Sequence, residues 1–149
     1  MPAARWSVRD FSWYSSAMSA DGQPQNPLKI LLVEDNPDAR TTLRMLLTIA
    51  YGYTVYEAAD GASGVQSALD LRPDVALIDL GLPDLDGHEV ARRIRAVLDR
   101  NAILLVALTG YGSAEDRRRT HEAGFDVHLV KPVEAADLVK IFDEQVRQS

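Results

Sequence analysis

The chain has 149 residues, 46% of them hydrophobic, which suits one globular domain with a single core. Its formal net charge of -6 argues against a nucleic-acid-binding surface, which needs a basic face, and no apolar run of the sequence approaches the length needed for membrane insertion. The absence of cysteine excludes disulfides and thiolate metal sites and fits a reducing cytoplasm, which is the location we expect.

The first part of the chain differs in composition from the rest. Residues 1–27 are rich in Ser, Ala, Pro, Gln and Asn and lack a stable apolar period, so we expect a flexible arm or linker. The segment nevertheless contains a group of aromatic side chains, namely Trp6, Phe11, Trp13 and Tyr14. Two interpretations stay open: a disordered leader, in which Met18 could be the true start, or a segment that docks on a partner or on the domain itself.

Residues 28–149 are expected to form one domain in which short apolar strands alternate with helices. The first strand covers residues 29–33, and Asn36 followed by a proline marks the start of a helix. Apolar residues at helical spacing mark one face of this helix: Ala39, Leu43, Leu46 and Leu47. A second strand is predicted at residues 54–58.

The second predicted helix starts after a suitable capping residue, Asp60, and runs to Asp70. Two glycines near its start, Gly61 and Gly64, are expected to weaken it, because glycine has a low helix propensity.

A buried central strand follows and ends on a carboxylate. Residues 75–78 are all apolar, which is typical of a strand buried on both faces, and Asp79 comes directly after them. The turn-forming residues Gly81 and Pro83 then lead to Asp86, which opens the next helix. A strand of this kind directs Asp79 into the crevice where open α/β sheets bind their ligands.

The third helix is predicted to carry four apolar residues on one face: Val90, Ile94, Val97 and Leu98. A fourth buried strand is expected at residues 102–108 and ends in Thr109. Residues 113–116 resemble a capping box and open a helix that stops at Gly124.

The last strand is predicted at residues 126–130 and ends at Lys131. The helix that follows has an apolar face formed by Ala135, Leu138, Val139 and Phe142. Five strand-helix units in strict alternation predict an α/β protein with a parallel sheet and helices on both of its faces.

Polar residues follow four of the predicted strands: Glu34, Asp35, Asp79, Thr109 and Lys131. In a parallel sheet these strand ends lie at one edge, so the side chains can converge. Three carboxylates at close range raise one another's pKa unless a cation lies among them, and a set of oxygen ligands suits Mg²⁺. A metal with open positions, an ammonium group and a hydroxyl together indicate a site for a phosphoryl group, with a carboxylate as the natural nucleophile.

This set of residues, together with the run Asp-Leu-Gly-Leu-Pro-Asp-Leu-Asp-Gly at 79–87 and the pair Lys131-Pro132, resembles the receiver domain of two-component response regulators. The resemblance covers about residues 28–149. It implies a flavodoxin-like (βα)5 three-layer sandwich with sheet order 2-1-3-4-5, in which Asp79 accepts a phosphoryl group from a histidine kinase or a histidine phosphotransfer protein. Such a domain is a switch rather than an enzyme, and it changes affinity for a downstream protein through the face formed by helix 4, strand 5 and helix 5.

The resemblance also implies a role for each residue of the metal site. Asp35, Asp79 and the backbone carbonyl of Gly81 would ligate Mg²⁺ directly, and Glu34 would act through coordinated water. Lys131 would pair with the phosphoryl group, and the Lys131-Pro132 peptide bond is expected to be cis.

Further implied roles concern switching and the lifetime of the phosphoryl group. Thr109 would move inward to hydrogen-bond the phosphoryl group, coupled to the residue three places before the lysine. That residue is His128 here, where the family commonly has Tyr or Phe. Gly81 and Tyr111 would flank the path of the hydrolytic water, with Tyr111 shielding the phosphoryl group and Gly81 leaving it open.

The sequence also admits other functional interpretations. A metal-dependent phosphatase with an aspartyl nucleophile is less favoured, because those enzymes usually have a second acid where Gly81 stands and need a cap domain. A dinucleotide-binding domain lacks the glycines it needs after the first strand. The chain could be a stand-alone receiver, a phosphate shuttle or sink, or the receiver segment of a hybrid kinase.

The three consecutive arginines at residues 117–119 form either a docking patch or a solvated helix surface. His88 and His121 are expected to be ordinary helix residues.

Overall fold

The computed structural model describes residues 28–145, so the arm predicted at residues 1–27 lies outside the described part of the chain. The strands are β1 (Lys29–Val33), β2 (Thr54–Ala58), β3 (Val75–Asp79), β4 (Leu104–Thr109) and β5 (Val127–Val130). The helices are α1 (Pro37–Met45), α2 (Gly61–Leu71), α3 (Gly87–Arg95), α4 (Ala114–Ala123) and α5 (Ala135–Gln145), and a π-helical turn, Leu46–Ala50, directly follows α1.

The five strands form one sheet in the order β2-β1-β3-β4-β5, and every neighbouring pair is parallel. This confirms the predicted flavodoxin-like topology. The strand β3 lies at the centre of the sheet and all five of its residues are buried, as its continuous apolar sequence indicates. The edge strands β2 and β5 are only partly buried.

The core consists of two apolar layers, one on each face of the sheet, because successive strand residues point to opposite faces. One layer contains Leu31 and Val33 of β1 and packs against α2, α3 and α4. The other contains Ile30 and Leu32 and packs against the π-helical turn and α5. The result is the three-layer sandwich that the alternation of strands and helices predicts. No helix between residues 28 and 145 is both long and apolar enough to cross a bilayer.

Two details of the helix predictions were wrong. The helix α3 ends at Arg95, and Val97 is 57% exposed rather than part of the apolar face. In the first helix, Ala39 is exposed and Leu46 is 45% exposed, whereas Leu47 is buried. The π-helical turn contains both Leu46 and Leu47, and its wider winding changes which of these two residues faces the sheet.

The starts of two strands also differ from the prediction. The strand β4 begins at Leu104, because the amides of Ala102 and Ile103 donate to the carbonyl of Asp99 in a turn. The strand β5 begins at Val127, one residue after Asp126.

The two glycines of α2 were expected only to weaken this helix, but the structure shows that they also permit close packing. A Cβ atom at Gly64 would lie 2.8 Å from Cγ1 of Val33, and one at Gly61 would lie 2.7 Å from Cβ of Leu85. These positions therefore let α2 approach β1 and the loop that follows β3.

Candidate functional site

Three carboxylates lie together at the carboxyl edge of the sheet. Glu34 and Asp79 are 6% and 7% exposed, whereas Asp35 is exposed. One oxygen from each of the three carboxylates lies within 4.8 Å of the others. The cluster forms because β1 and β3 are parallel neighbours, so the residues that follow or end these strands emerge at the same edge.

Backbone amides hold two of these carboxylates in place. The amide of Gly81 donates to Oδ1 of Asp79 at 3.0 Å, and the amide of Asn36 donates to Oε2 of Glu34 at 3.2 Å. Asn36 in turn caps α1, with its side-chain oxygen accepting from the amides of Asp38 and Ala39. The start of the helix therefore also positions the carboxylate.

Lys131 follows β5 and reaches back to the carboxylates. Its Nζ atom lies 3.2 Å from Oδ2 of Asp79 and 3.4 Å from Oε1 of Glu34. Burial would lower the pKa of Lys131, but the charge of Asp79, the charge of Glu34 and the hydrogen bonds to both outweigh burial and raise it. The ammonium group therefore stays charged beside the carboxylates. The peptide bond between Lys131 and Pro132 is cis.

The site has more negative charge than Lys131 balances. Burial raises the pKa of Glu34, and the hydrogen bond and negative charge of Asp79 raise it further, although the amide of Asn36 and the charge of Lys131 act in the opposite direction. An oxygen-only set of donors with excess negative charge fits a hard divalent cation such as Mg²⁺. Glu34, Asp35 and Asp79 could therefore hold this metal.

A crevice of about 580 Å³ extends from Asp79 toward α4. Its wall includes Gly81, Thr109, Tyr111 and Arg119. Thr109 is 5% exposed and its hydroxyl oxygen accepts the amide of Tyr111 at 3.1 Å. The side chain of Tyr111 is 74% exposed, and Gly81 is exposed as well. The structure thus brings the predicted switch residue Thr109 and the two predicted lifetime residues to the same crevice as Asp79.

The predicted switch residue His128 lies outside this crevice lining, in β5, with its ring between the loop after β4 and the helix α4. Its Nε2 atom lies 2.8 Å from the carbonyl oxygen of Tyr111, and its Nδ1 atom lies 2.9 Å from Oγ1 of Thr120. Thr120 is 1% exposed. Thr120 could not be identified from the sequence, because a threonine within a helix carries no distinguishing pattern.

Asp84 is a second residue that the sequence analysis did not assign. Its carboxylate accepts the amides of Gly61 at 2.7 Å and Ala62 at 3.0 Å, at the start of α2. These two hydrogen bonds lower the pKa of Asp84, as is expected for a carboxylate at a helix N-terminus. The only available signal was one more acid in the run 79–87, and its partners lie more than 20 residues away in sequence.

Two of the three consecutive arginines of α4 are engaged within the domain. Arg117 donates to the carbonyls of Gly112 and His128, each at 3.3 Å, and Arg118 pairs with two glutamates of its own helix, Glu115 and Glu122. These contacts favour the solvated-surface interpretation for Arg118 and a structural role for Arg117.

The two remaining histidines, His88 and His121, have different surroundings. The ring of His88 lies 2.8 Å from Asp86, the capping residue of α3, whereas His121 is exposed on α4.

Comparisons with known proteins agree with this arrangement. A family model, the response regulator receiver domain, matches residues 30–143. The transcriptional regulatory protein PrrA of Mycobacterium tuberculosis is 37% identical over 111 residues, which are 74% of this chain and 46% of that protein. The transcriptional regulatory protein ResD of Bacillus subtilis is 36% identical over 114 residues, again 46% of that protein. The chain thus spans about half the length of these curated relatives.

A solved structure gives the corresponding three-dimensional comparison. The receiver domain of the sensor histidine kinase PA1611 from Pseudomonas aeruginosa is 37% identical, with a TM-score of 0.73 over 82% of this chain and 99% of that domain. That structure has a magnesium ion coordinated in its active-site cleft. Since the family model covers most of the chain and the fold agrees as well, the chain belongs to the response regulator receiver domain family.

Proposed function

We propose that this domain is a phosphorylation-controlled switch in which Asp79 accepts a phosphoryl group from a phosphohistidine. The observation that carries the proposal is the convergence of three carboxylates within 4.8 Å, with the ammonium group of Lys131 3.2 Å from Asp79. The donor would be a histidine kinase or a histidine phosphotransfer protein, since receiver domains act with such partners. A cytoplasmic location belongs to the same proposal, because it fits the cysteine-free composition.

The transfer requires a carboxylate oxygen of Asp79 close to the phosphorus atom of the donor. That oxygen attacks phosphorus, an O–P bond forms as the N–P bond of the phosphohistidine breaks, and the bonding electron pair stays on the imidazole nitrogen, which takes up a proton. Lys131 pairs with the phosphoryl oxygens and keeps them in place for attack. The crevice next to Asp79 gives the donor access from solvent.

The carboxylates of this chain also supply the metal site. Asp35 and Asp79 would ligate Mg²⁺ directly with the backbone carbonyl of Gly81, and Glu34 would act through coordinated water. When bound, Mg²⁺ supplies charge neutralisation for the phosphoryl oxygens. The excess negative charge and the oxygen-only donors support this assignment.

The same geometry supports a role for the crevice in switching and in the lifetime of the phosphoryl group. Thr109 lies in the crevice wall with Asp79, and its hydroxyl proton can be donated to a phosphoryl oxygen after a movement inward. Tyr111 stands at the exposed rim and would shield the acyl phosphate from water, while Gly81 leaves the opposite side open. His128 would couple the movement to the face formed by α4, β5 and α5, which would bind a downstream protein.

We also propose that the domain has no separate substrate. Gly81 stands two residues after Asp79, where phosphatases with an aspartyl nucleophile usually have a second acid. The chemistry of the chain would then be limited to accepting and losing its own phosphoryl group.

The test is the intact mass of the full chain after incubation with Mg²⁺ and acetyl phosphate. We expect one phosphoryl adduct that depends on Mg²⁺ and is lost in Asp79→Asn. A matched control is Asp86→Asn, in the same loop, because Asn also caps a helix well and should leave the adduct unchanged. An adduct that persists in Asp79→Asn, or an adduct that needs no Mg²⁺, would contradict the proposal.

A further inference from the structure

A groove runs along α1, on the face of the sheet that also carries α5. Its volume is about 700 Å³, and its walls are formed by one side of α1 and by the loop of residues 131–133. Leu32 of β1 and Leu108 of β4, both buried in the sheet, lie at its base. Most of the lining is apolar, and the volume falls within the range of pockets that enclose small organic groups, ~300–1,000 Å³. The groove can therefore accept aromatic side chains.

An exposed apolar surface continues from the groove at the end of α1. Leu46 lines the groove and is 45% exposed, Met45 is also 45% exposed, and Ile49 is 76% exposed. Residues three and four positions apart lie side by side on a helix surface, so these three side chains adjoin one another. We call them the α1 patch. Single exposed apolar side chains are common, but a contiguous group beside a groove is typical of a binding surface.

The arm of residues 1–27 joins the domain next to this patch. Its last residue precedes Leu28, whose carbonyl accepts the amide of Thr54 at 3.0 Å. The neighbouring amide, that of Tyr53, donates to the carbonyl of Leu47 in the π-helical turn at 3.1 Å. Leu28 and Leu47 also belong to the same apolar layer. The arm therefore leaves the domain at the edge of the sheet where α1 and its π-helical turn end.

The arm has the side chains and the length to occupy this surface. All four of its aromatic residues lie within residues 5–14, which we call the aromatic segment, and this is more than a solvated segment needs. The chain from Tyr14 to Leu28 can extend to ~45 Å, whereas α1 with its 9 residues is only ~14 Å long. Such a tether raises the effective concentration of the segment at the patch to the order of millimolar. Docking therefore needs only a weak intrinsic affinity.

The charges of the two surfaces are also compatible. The aromatic segment contains two arginines and one aspartate, so its net charge is positive. Asp38 lines the groove and is exposed, so it offers the segment a carboxylate. The ammonium group of Lys131, which also lines the groove, is already paired with Asp79 at 3.2 Å. An arginine of the segment can therefore approach Asp38 without facing an unpaired cation.

We propose that the aromatic segment docks on the α1 patch and the adjoining groove of its own domain. Docking goes beyond the proposed function, because it requires neither Mg²⁺ nor a phosphoryl group. Aromatic side chains bury a large apolar area each, and the indole N–H of tryptophan can find a polar partner at the rim. Since Glu34 and Lys131 also line the groove, the docked segment lies next to the candidate phosphoryl site.

Intrinsic fluorescence tests the docking directly, because the two tryptophans of the chain, Trp6 and Trp13, both lie in the aromatic segment. Excitation that selects tryptophan therefore reports on this segment alone. In the full chain we expect emission at shorter wavelength, and weaker quenching by acrylamide, than in a peptide of residues 1–27. Emission and quenching identical to those of the peptide would overturn the proposal.

Substitutions in the α1 patch locate the docking site. Leu46→Gln combined with Ile49→Gln removes two exposed apolar side chains and keeps good helix formers, so the emission should move to that of the peptide. Val97→Gln is the matched control, because Val97 is 57% exposed and follows α3, which packs on the other face of the sheet. This control should keep the emission of the wild type. A shift that persists in the double variant, with the fold intact by circular dichroism, would contradict docking at the patch.

Two further measurements separate docking within one chain from other arrangements. Emission should not depend on protein concentration, and a shift on dilution would assign the arm to a second copy and refute the proposal. NMR of the wild-type chain needs no variant, since nuclear Overhauser effects should connect the indole protons of Trp6 or Trp13 with the methyl groups of Leu46 or Ile49. Their absence would likewise refute it. None of these measurements requires phosphorylation, so a failure of the proposed function would leave their outcome unaffected.

Discussion

Replacing Glu34 with Gln should stabilise the metal-free protein. Glu34 is 6% exposed and lies in a cluster whose three carboxylates have oxygens within 4.8 Å of one another. The variant keeps an amide oxygen that can accept the amide of Asn36, as Oε2 does at 3.2 Å. The new amide nitrogen can donate to Asp79. The substitution therefore removes one negative charge and the 3.4 Å hydrogen bond that Lys131 donates to Oε1, while the hydrogen bond from Asn36 is retained.

The size of the effect follows from the distances. With an effective dielectric constant of about 20, two charges 4.8 Å apart repel by about 3.5 kcal/mol, and the 3.4 Å pair of Lys131 and Glu34 attracts by about 5 kcal/mol. Neutralising Glu34 removes two repulsions, from Asp35 and Asp79, and one attraction, so about 2 kcal/mol remains in favour of the variant. Solvent screening at exposed Asp35 and at Lys131 reduces this to about 1 kcal/mol.

The assay is thermal unfolding in the presence of a chelator. At neutral pH the Tm of Glu34→Gln should exceed that of the wild type by about 3 °C, and saturating Mg²⁺ should stabilise the wild type more than the variant.

The stability difference between the variant and the wild type should also depend on pH, with a definite sign. Because burial raises the folded-state pKa of Glu34 above its ordinary value, ionisation of Glu34 destabilises the fold above the folded pKa, and this penalty disappears as the pH falls through the folded pKa toward the ordinary value. The excess of the Tm of Glu34→Gln over that of the wild type should therefore decrease over the same pH range.

A matched substitution at Glu57 should change the stability in the opposite direction. Glu57 in β2 pairs with Arg40 at 3.4 Å and with Arg44 at 3.2 Å, away from the cluster. Glu57→Gln should therefore lower stability, by at most about 1 kcal/mol for so exposed a pair, independently of Mg²⁺. A lower Tm for Glu34→Gln in chelator, or a gain that neither Mg²⁺ nor acid alters, would refute the electrostatic reasoning.

Three further predictions concern packing, a partly buried ion pair and the lifetime of the phosphoryl group. Gly64→Ala should lower the free energy of unfolding in urea by about 1–3 kcal/mol, because the added Cβ would lie 2.8 Å from Cγ1 of Val33. An unchanged unfolding midpoint would show that β1 can shift to accommodate the methyl group. Asp126→Asn should cost about 2–3 kcal/mol in the same assay, because its carboxylate pairs with Arg95 at 2.6 Å with both side chains largely buried, and equal stability would contradict this. Tyr111→Ala should accelerate loss of the phosphoryl group, timed by intact mass after the donor is removed, and an unchanged rate would argue against shielding.

Much of the candidate site could be predicted from local sequence patterns. The apolar residues of β3 identify a strand buried on both faces, and Asp79 at its end is visible without any structure. The alternation of strands and helices implies parallel pairing, and parallel pairing brings the carboxyl ends of strands to one edge. The convergence of Glu34, Asp35 and Lys131 on Asp79 follows from that topology.

Other features could not be predicted, because they depend on how elements far apart in sequence approach one another. Gly64 resembles a helix-weakening residue until the distance to Val33 is known. Asp84 caps a helix whose amides lie more than 20 residues before it in the chain. Val97 fits the helical period but follows the end of α3 and is exposed.

The sequence patterns by themselves determined the alternation of strands and helices, the edge at which the polar residues meet and the chemical types of those residues, whereas the sheet order 2-1-3-4-5 was implied only by the resemblance to receiver domains. These depend on short-range periodicity and on the pairing rules of parallel sheets. Only the tertiary structure decided the hydrogen bonds of His128 to Tyr111 and Thr120. Whether an imidazole in β5 reaches a loop on one side and a helix on the other depends on the packing distance between layers, which no local pattern in the chain encodes.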